Sequence, residues 1–161
     1  MKTATAILID PALKRVETVK LTAHSTDSRA HLQEIYALVG TEEVGHMILP
    51  NGDSAWGDDN GLLKDWRTQS FFLMPLYAGP LAGRYVITRY VMNAKGGDNL
   101  ADCHTDAVQL FIDTQWMTPN EVVIPAPTIS KMGEDGKMSE PVPLGGGPAT
   151  WTLDHNPGTP K

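Results

Sequence analysis

The sequence predicts an α+β fold: an antiparallel sheet of hairpins with one main helix packed on a face, a second helix near 105–115, and an irregular C-terminal tail. Three observations predict it. Two β-rich runs near the N-terminus flank a turn, an apolar stripe of helical period follows, and a second hairpin is announced by its turn residues.

Thr3 to Ile9 and Arg15 to Leu21 are the first two strands, joined by a loop whose Asp10-Pro11 start favours a turn. Ser25 to Ser28 supply candidate N-caps for a helix from about Asp27 to Val39. Its residues Leu32, Ile35, Tyr36 and Val39 fall on one face, and Gly40 ends it. That stripe needs a sheet to cover, and hairpins on both sides supply one.

The second hairpin runs from Val44 into an acidic, Gly-rich turn before Leu63. Asn51-Gly52 alone suggests a two-residue loop, but such a loop needs a backbone donor where Pro50 has none. A three-residue loop satisfies the chemistry. Pro50 and Asn51 then form the centre of a type I turn, with Gly52 left-handed in a bulge. The register follows: Ile48 faces Ser54, Met47 faces Ala55 and His46 faces Trp56. One face carries Val44, His46, Ile48 and Trp56.

Further along, 57–61 is a turn cluster and Leu62 to Trp66 fits either a short strand or a helical turn. Ser70 to Leu76 is apolar but interrupted by Pro75, and 78–83 is a Gly/Pro loop before a strand from Arg84 to Met92. Gly96 to Asn99 breaks the chain again. Thr105 or Asp106 is placed to cap a helix carrying Ala107, Val108, Phe111 and Ile112; Val108, Leu110 and Ile112 also alternate like a strand, and helix is the preferred reading. Val122 to Ile124 is a short strand at most. The expected organisation is one α+β domain over 1–124 and a Gly/Pro-rich loop or flexible tail over 125–161.

Thirteen basic against nineteen acidic residues give a formal charge of -6, which repels phosphate backbones and leaves a basic partner as the favoured electrostatic match. Neither nucleic acid nor a membrane is expected as a partner. Cys103 is the one cysteine, so no internal disulfide framework exists. The apolar run Ala4 to Ile9 is too short for a signal peptide, so a bacterial cytoplasm is the expected compartment.

Several short motifs follow one another along the chain. Ala6-Ile7-Leu8-Ile9-Asp10-Pro11, Leu38-Val39-Gly40, Asn51-Gly52-Asp53 with Trp56, Asp58-Asp59-Asn60-Gly61-Leu62-Leu63, and Leu81-Ala82-Gly83-Arg84 together resemble the uncharacterised family known as domain of unknown function thirty-eight forty-six. The resemblance spans roughly residues 4 to 115. It implies a small protein of bacteriophages, plasmids or other mobile elements, and it carries over neither an activity nor catalytic residues.

Two clusters contain metal-ligating types. Asp53, Asp58, Asp59, Asn60 and Asp65 offer oxygens for a hard cation, but their spacing departs from the EF-hand loop, and such residues crowd turns for backbone reasons. Cys103, His104 and Asp106 are candidate zinc ligands with no second Cys/His pair beside them; a capped helix entry explains the same residues. Asp58, Asp59, Cys103, His104 and Asp106 are thus the weak metal candidates, and no cofactor is expected. Ser54 is one residue out of step with a nucleophile elbow, and Gly145 to Gly147 lacks the Lys-Ser/Thr of a phosphate loop. Arg84 and Arg89 form a basic patch with Lys14, Arg15 and Lys20 only if they share a face.

The expected function is that of a non-enzymatic accessory protein of a bacteriophage or mobile element. It would bind a host protein, in a counter-defence role, or a small nucleotide-like ligand. His46, Trp56, Asp58, Asp59 and Arg84 are the candidate binding residues. The rival is a small metal-assisted hydrolase built on the Asp53–Asp65 or Cys103–Asp106 segment.

Overall fold

A computed structural model of the protein describes residues 2–23, 28–124, 128–129, 132–137, 142–143 and 149–153. The first hairpin is β1 (Thr3–Asp10) against β2 (Arg15–Thr22), antiparallel and in register from Thr3↔Thr22 to Asp10↔Arg15. Helix α1 (Ser28–Val39) follows, and Gly40 closes it at φ +91, its amide donating to Tyr36 O at 2.8 Å. The cap candidates Ser25, Thr26 and Asp27 lie outside the described residues.

Strands β3 (Val44–Ile48) and β4 (Ser54–Asp58) form the second hairpin, with the expected pairs Ile48↔Ser54, Met47↔Ala55 and His46↔Trp56. Gly52 takes φ +85 and its amide reaches Leu49 O at 2.9 Å, while the Leu49 amide reaches Asp53 O at 2.7 Å. That is the type I turn plus left-handed glycine demanded by Pro50.

Next come single 3₁₀ turns at Gly61–Leu63 and Trp66–Thr68, which settle the strand-or-helix alternative there. The remaining elements are β5 (Phe71–Leu73), β6 (Leu81–Ala82), β7 (Tyr85–Met92), β8 (Asp98–Ala101), α2 (Ala107–Asp113), β9 (Gln115–Ile124), β10 (Thr128–Ile129), β11 (Val142–Pro143) and β12 (Ala149–Leu153).

The main sheet has the order β2-β1-β7-β4-β3, with β8 also paired to β7. A second sheet has the order β12-β9-β5-β6. Strand β1 reads Ala6-Ile7-Leu8-Ile9 without alternation because both of its faces are covered. Ala4, Ala6 and Leu8 join Leu21, Val86 and Leu100 under Ile35 and Val39 of α1. Ile7 and Ile9 join Ala55, Tyr85 and Ile87 against Phe72, Leu81 and Trp116 of the second sheet and Leu110 of α2. Helix, sheet and second sheet therefore stack in layers. Ile35, at 0% exposure, anchors α1 with roughly 1.5–3 kcal/mol of burial.

Three expectations need correction. The 78–83 loop contains β6, residues 98–101 form β8, and the strand expected only at Val122 to Ile124 begins at Gln115. Pro119 hid β9, since proline removes a ladder donor; the β12–β9 pairing shifts register between Thr150 and Trp151, where Trp151 meets Pro119. Within 125–161, read from composition as loop or tail, the described residues include β10, β11 and β12.

Asp106 caps α2, its carboxylate accepting from the Gln109 amide at 2.7 Å. A helix of seven residues has little propagation to offset its nucleation, so the cap matters. Asp106→Ala is expected to lower unfolding free energy by about 0.5–2 kcal/mol, read as a shifted denaturation midpoint at constant m-value.

Candidate binding cleft

Two concavities flank the turn that follows β4. The larger, of about 400 Å³, opens beside the β3 edge on the face away from α1. Gly45, His46 and Met47 line it from β3, Gly57 to Asp59 from the end of β4, and Leu62, Leu63, Tyr77, Leu81 and Tyr85 complete it. Its size lies within the range of small-molecule and side-chain pockets.

Glycines make this cleft. A Cβ on Gly57 would stand 2.2 Å from Tyr85 Cζ, so the tyrosine ring lies flat on bare backbone. A Cβ on Gly45 would stand 2.5 Å from Asp59 Oδ1, so the Asp59 carboxylate rests over the other bare position. That carboxylate is exposed and takes no hydrogen bond or ion pair among the described residues. Burial first, then Tyr77, Asp58 and Asp59, push the Tyr85 phenol up to about 12. The same negative field that opposes a phenolate favours a cation. Leu62, Leu63 and Tyr77 are 48%, 44% and 40% exposed, leaving an apolar and aromatic wall open beside the carboxylates.

The smaller cleft, of roughly 290 Å³, lies on the far side of Asp58 and includes Asp10, Gly40, Lys64, Gly83 and Arg84 in its walls. Its cations are occupied: Arg84 Nε donates to Asp10 Oδ2 at 3.0 Å, and Lys64 pairs with Asp58.

The five binding candidates thus divide. His46, Asp58 and Asp59 meet at the larger cleft, Asp58 and Arg84 at the smaller, and Trp56 lines neither. His46 stacks on Trp56 with centroids 4.6 Å apart. That pair sits on the α1 side of the sheet, where Trp56 is half-buried, donates from Nε1 to Thr88 Oγ1 at 3.0 Å, and meets Tyr90 edge-on. The exposed His46 ring covers the half-buried Trp56 ring. Leu62, Tyr77 and Tyr85 are among the cleft residues that sequence reasoning missed; the glycine spacing opposite Tyr85 carries a signal for that ring.

The metal candidates do not converge. Asp53 is separated from the rest of its acidic run, Asp58 accepts from Lys64 and the Asn60 amide, and Asp65 pairs with Arg67. Among the described residues no three of His, Cys, Asp or Glu are placed to hold a metal ion. Asp106 is used as the cap of α2. The Cys103 thiol is pushed up to about 11 by burial first and then by Asp53, so it is protonated at neutral pH. His104 offers its backbone amide to Asp53 at 3.0 Å.

Asp53 itself is a buried hub. At 0% exposure it accepts from Arg89 Nη1 at 3.0 Å, from the amides of His104 and Thr105, and from Thr105 Oγ1 at 2.7 Å. It ties the β3–β4 turn to the 102–106 loop. Burial alone raises its pKa, but the Thr105 hydroxyl, the two amides and Arg89 together hold it below the ordinary carboxylate value.

Among the described residues no helix is long and apolar enough to cross a membrane. No protein-family model, curated protein or solved structure matches the chain.

Proposed function

We propose that the chain is a non-enzymatic binding protein whose larger cleft receives a lysine or arginine side chain from a basic segment of a partner protein. In keeping with the family resemblance, the partner is a host protein met in the bacterial cytoplasm by an accessory protein of a phage or mobile element. A counter-defence role suits such a pairing.

One observation carries this reading. The Asp59 carboxylate, unpaired among the described residues, stands at the mouth of a cleft walled by Tyr77, Tyr85 and Leu62. An alkyl stem gains apolar contact there, a cation gains the carboxylate and the tyrosine faces, and the chain's formal charge of -6 steers basic partners inward. A nucleotide-like ligand fits less well. Its phosphates would meet Asp58 and Asp59, and the nearby Lys64 and Arg84 are already paired.

Calorimetric titration with Nα-acetyl-arginine methylamide tests the proposal, with adenosine monophosphate as the comparison. Weak binding of the arginine derivative that declines with added salt is expected. Asp59→Asn should reduce its affinity about threefold to tenfold, while the melting temperature stays within a degree or so because that exposed carboxylate takes no hydrogen bond or ion pair among the described residues. Binding that is unchanged in Asp59→Asn, or a preference for the nucleotide, contradicts it.

A further inference from the structure

The edge of the main sheet beside the cleft is open. Strand β3 ends the order β2-β1-β7-β4-β3, with only β4 beside it among the described residues. The Asp59 amide donates to Glu43 O and the Leu49 amide to Asp53 O. Antiparallel ladders alternate hydrogen-bonded with non-bonded pairs. Gly45 and Met47 therefore bond to β4, and the N–H and C=O groups of Val44, His46 and Ile48 point away from it.

The two edges of this sheet are treated differently. Strand β2 carries Arg15, Glu17 and Lys20, charges that discourage another chain from pairing. Strand β3, Val-Gly-His-Met-Ile, carries no lysine, proline or acid, and its Ile48 is 77% exposed. The cleft runs along this unguarded edge.

Resting on the reading of the cleft as a cation site, we infer that the partner's basic segment binds as an added antiparallel strand on β3, with its lysine or arginine opposite Gly45. On the free side of β3, Gly45 occupies a non-hydrogen-bonded position, where facing side chains approach most closely. Gly45 has no side chain to obstruct the newcomer, and Asp59 Oδ1 lies directly over it. The residue opposite Gly45 projects to the cleft face, and its neighbours project to the other face, where Ile48 is exposed. The occupant is thus an extended segment with a cation on one face and an apolar residue, nearer its N-terminus, on the other. Pairing of β3 with a second copy is disfavoured by the formal charge of -6 and by Glu42, Glu43 and Asp59 around the edge.

Amide hydrogen exchange tests this with a short capped peptide of alternating threonine and valine bearing one central arginine. In the free protein, Val44, His46 and Ile48 exchange fast while Gly45 and Met47 are protected. With the peptide, the first three become protected by at least about tenfold. N-methylation of alternate peptide amides abolishes binding in one register and preserves it in the other. Binding without that protection, or insensitivity to both methylation patterns, overturns strand addition. In that case retained binding of the capped arginine derivative leaves the cation cleft standing; failure of both probes overturns both. Protection that rises with protein concentration in the absence of peptide overturns the inference in favour of a second copy.

Discussion

Asp53→Ala is expected to remove about 3–5 kcal/mol of stability, because it takes away the buried member of an ion pair and leaves Arg89 with the Asn51 carbonyl in place of a carboxylate. Arg89, 20% exposed at its side chain, would lose its carboxylate, and the amides of His104 and Thr105 would lose their acceptor. Each donor that loses its acceptor in this part-buried site adds a desolvation cost. Chemical denaturation of the wild type and the variant measures the loss. The pH dependence has a definite sign. The folded-state pKa of Asp53 lies below its unfolded value, so its contribution is complete above the ordinary carboxylate pKa and is lost as pH falls through the folded-state value. The stability gap between wild type and Asp53→Asn should therefore narrow on acidification from neutral pH. A gap that is constant or widens contradicts the hub.

Gly57→Ala is the second large effect. The added methyl would fall 2.2 to 2.6 Å from three atoms of the Tyr85 ring, and Phe72, edge-on to that ring at 5.7 Å, limits its retreat. Overpacking of this kind costs about 3 kcal/mol. The methyl also displaces a wall of the cleft, so affinity for a cationic probe should fall with stability. A double-mutant cycle with Tyr85→Ala separates the cause: once the ring is gone, Gly57→Ala should cost under about 1 kcal/mol. An undiminished cost in that background would place the strain in the backbone and not in the ring contact.

The sequence made the hairpins legible because their signals are local. Pro50 and Gly52 dictated one loop, and that loop dictated the pairing of His46 with Trp56. The stripe on α1 was equally local, and Ile35 and Val39 are buried as its period requires. The second sheet was hidden for the opposite reason. Strands of two and three residues, β6 and β5, are too short to show a period, and Pro119 masked β9.

The candidate site was half legible. Asp58 and Asp59 stood out by density, but what separates them from Asp53 is a loop about fifty residues away that buries one carboxylate and leaves another free. No local pattern records that. Trp56 was singled out as a platform opposite His46 and lines neither cleft, whereas Gly45 and Gly57 shape the larger one by having no side chain at all.

The most direct test of the binding proposal is a residue-resolved NMR titration with Nα-acetyl-arginine methylamide. The proposed site predicts saturable shift changes at Gly45, Met47, Gly57, Asp59, Leu62 and Tyr85, with Trp56, Gly40 and Arg84 little affected. Changes centred instead on Gly40, Gly83 and Arg84, or on His46 and Trp56 alone, would contradict it.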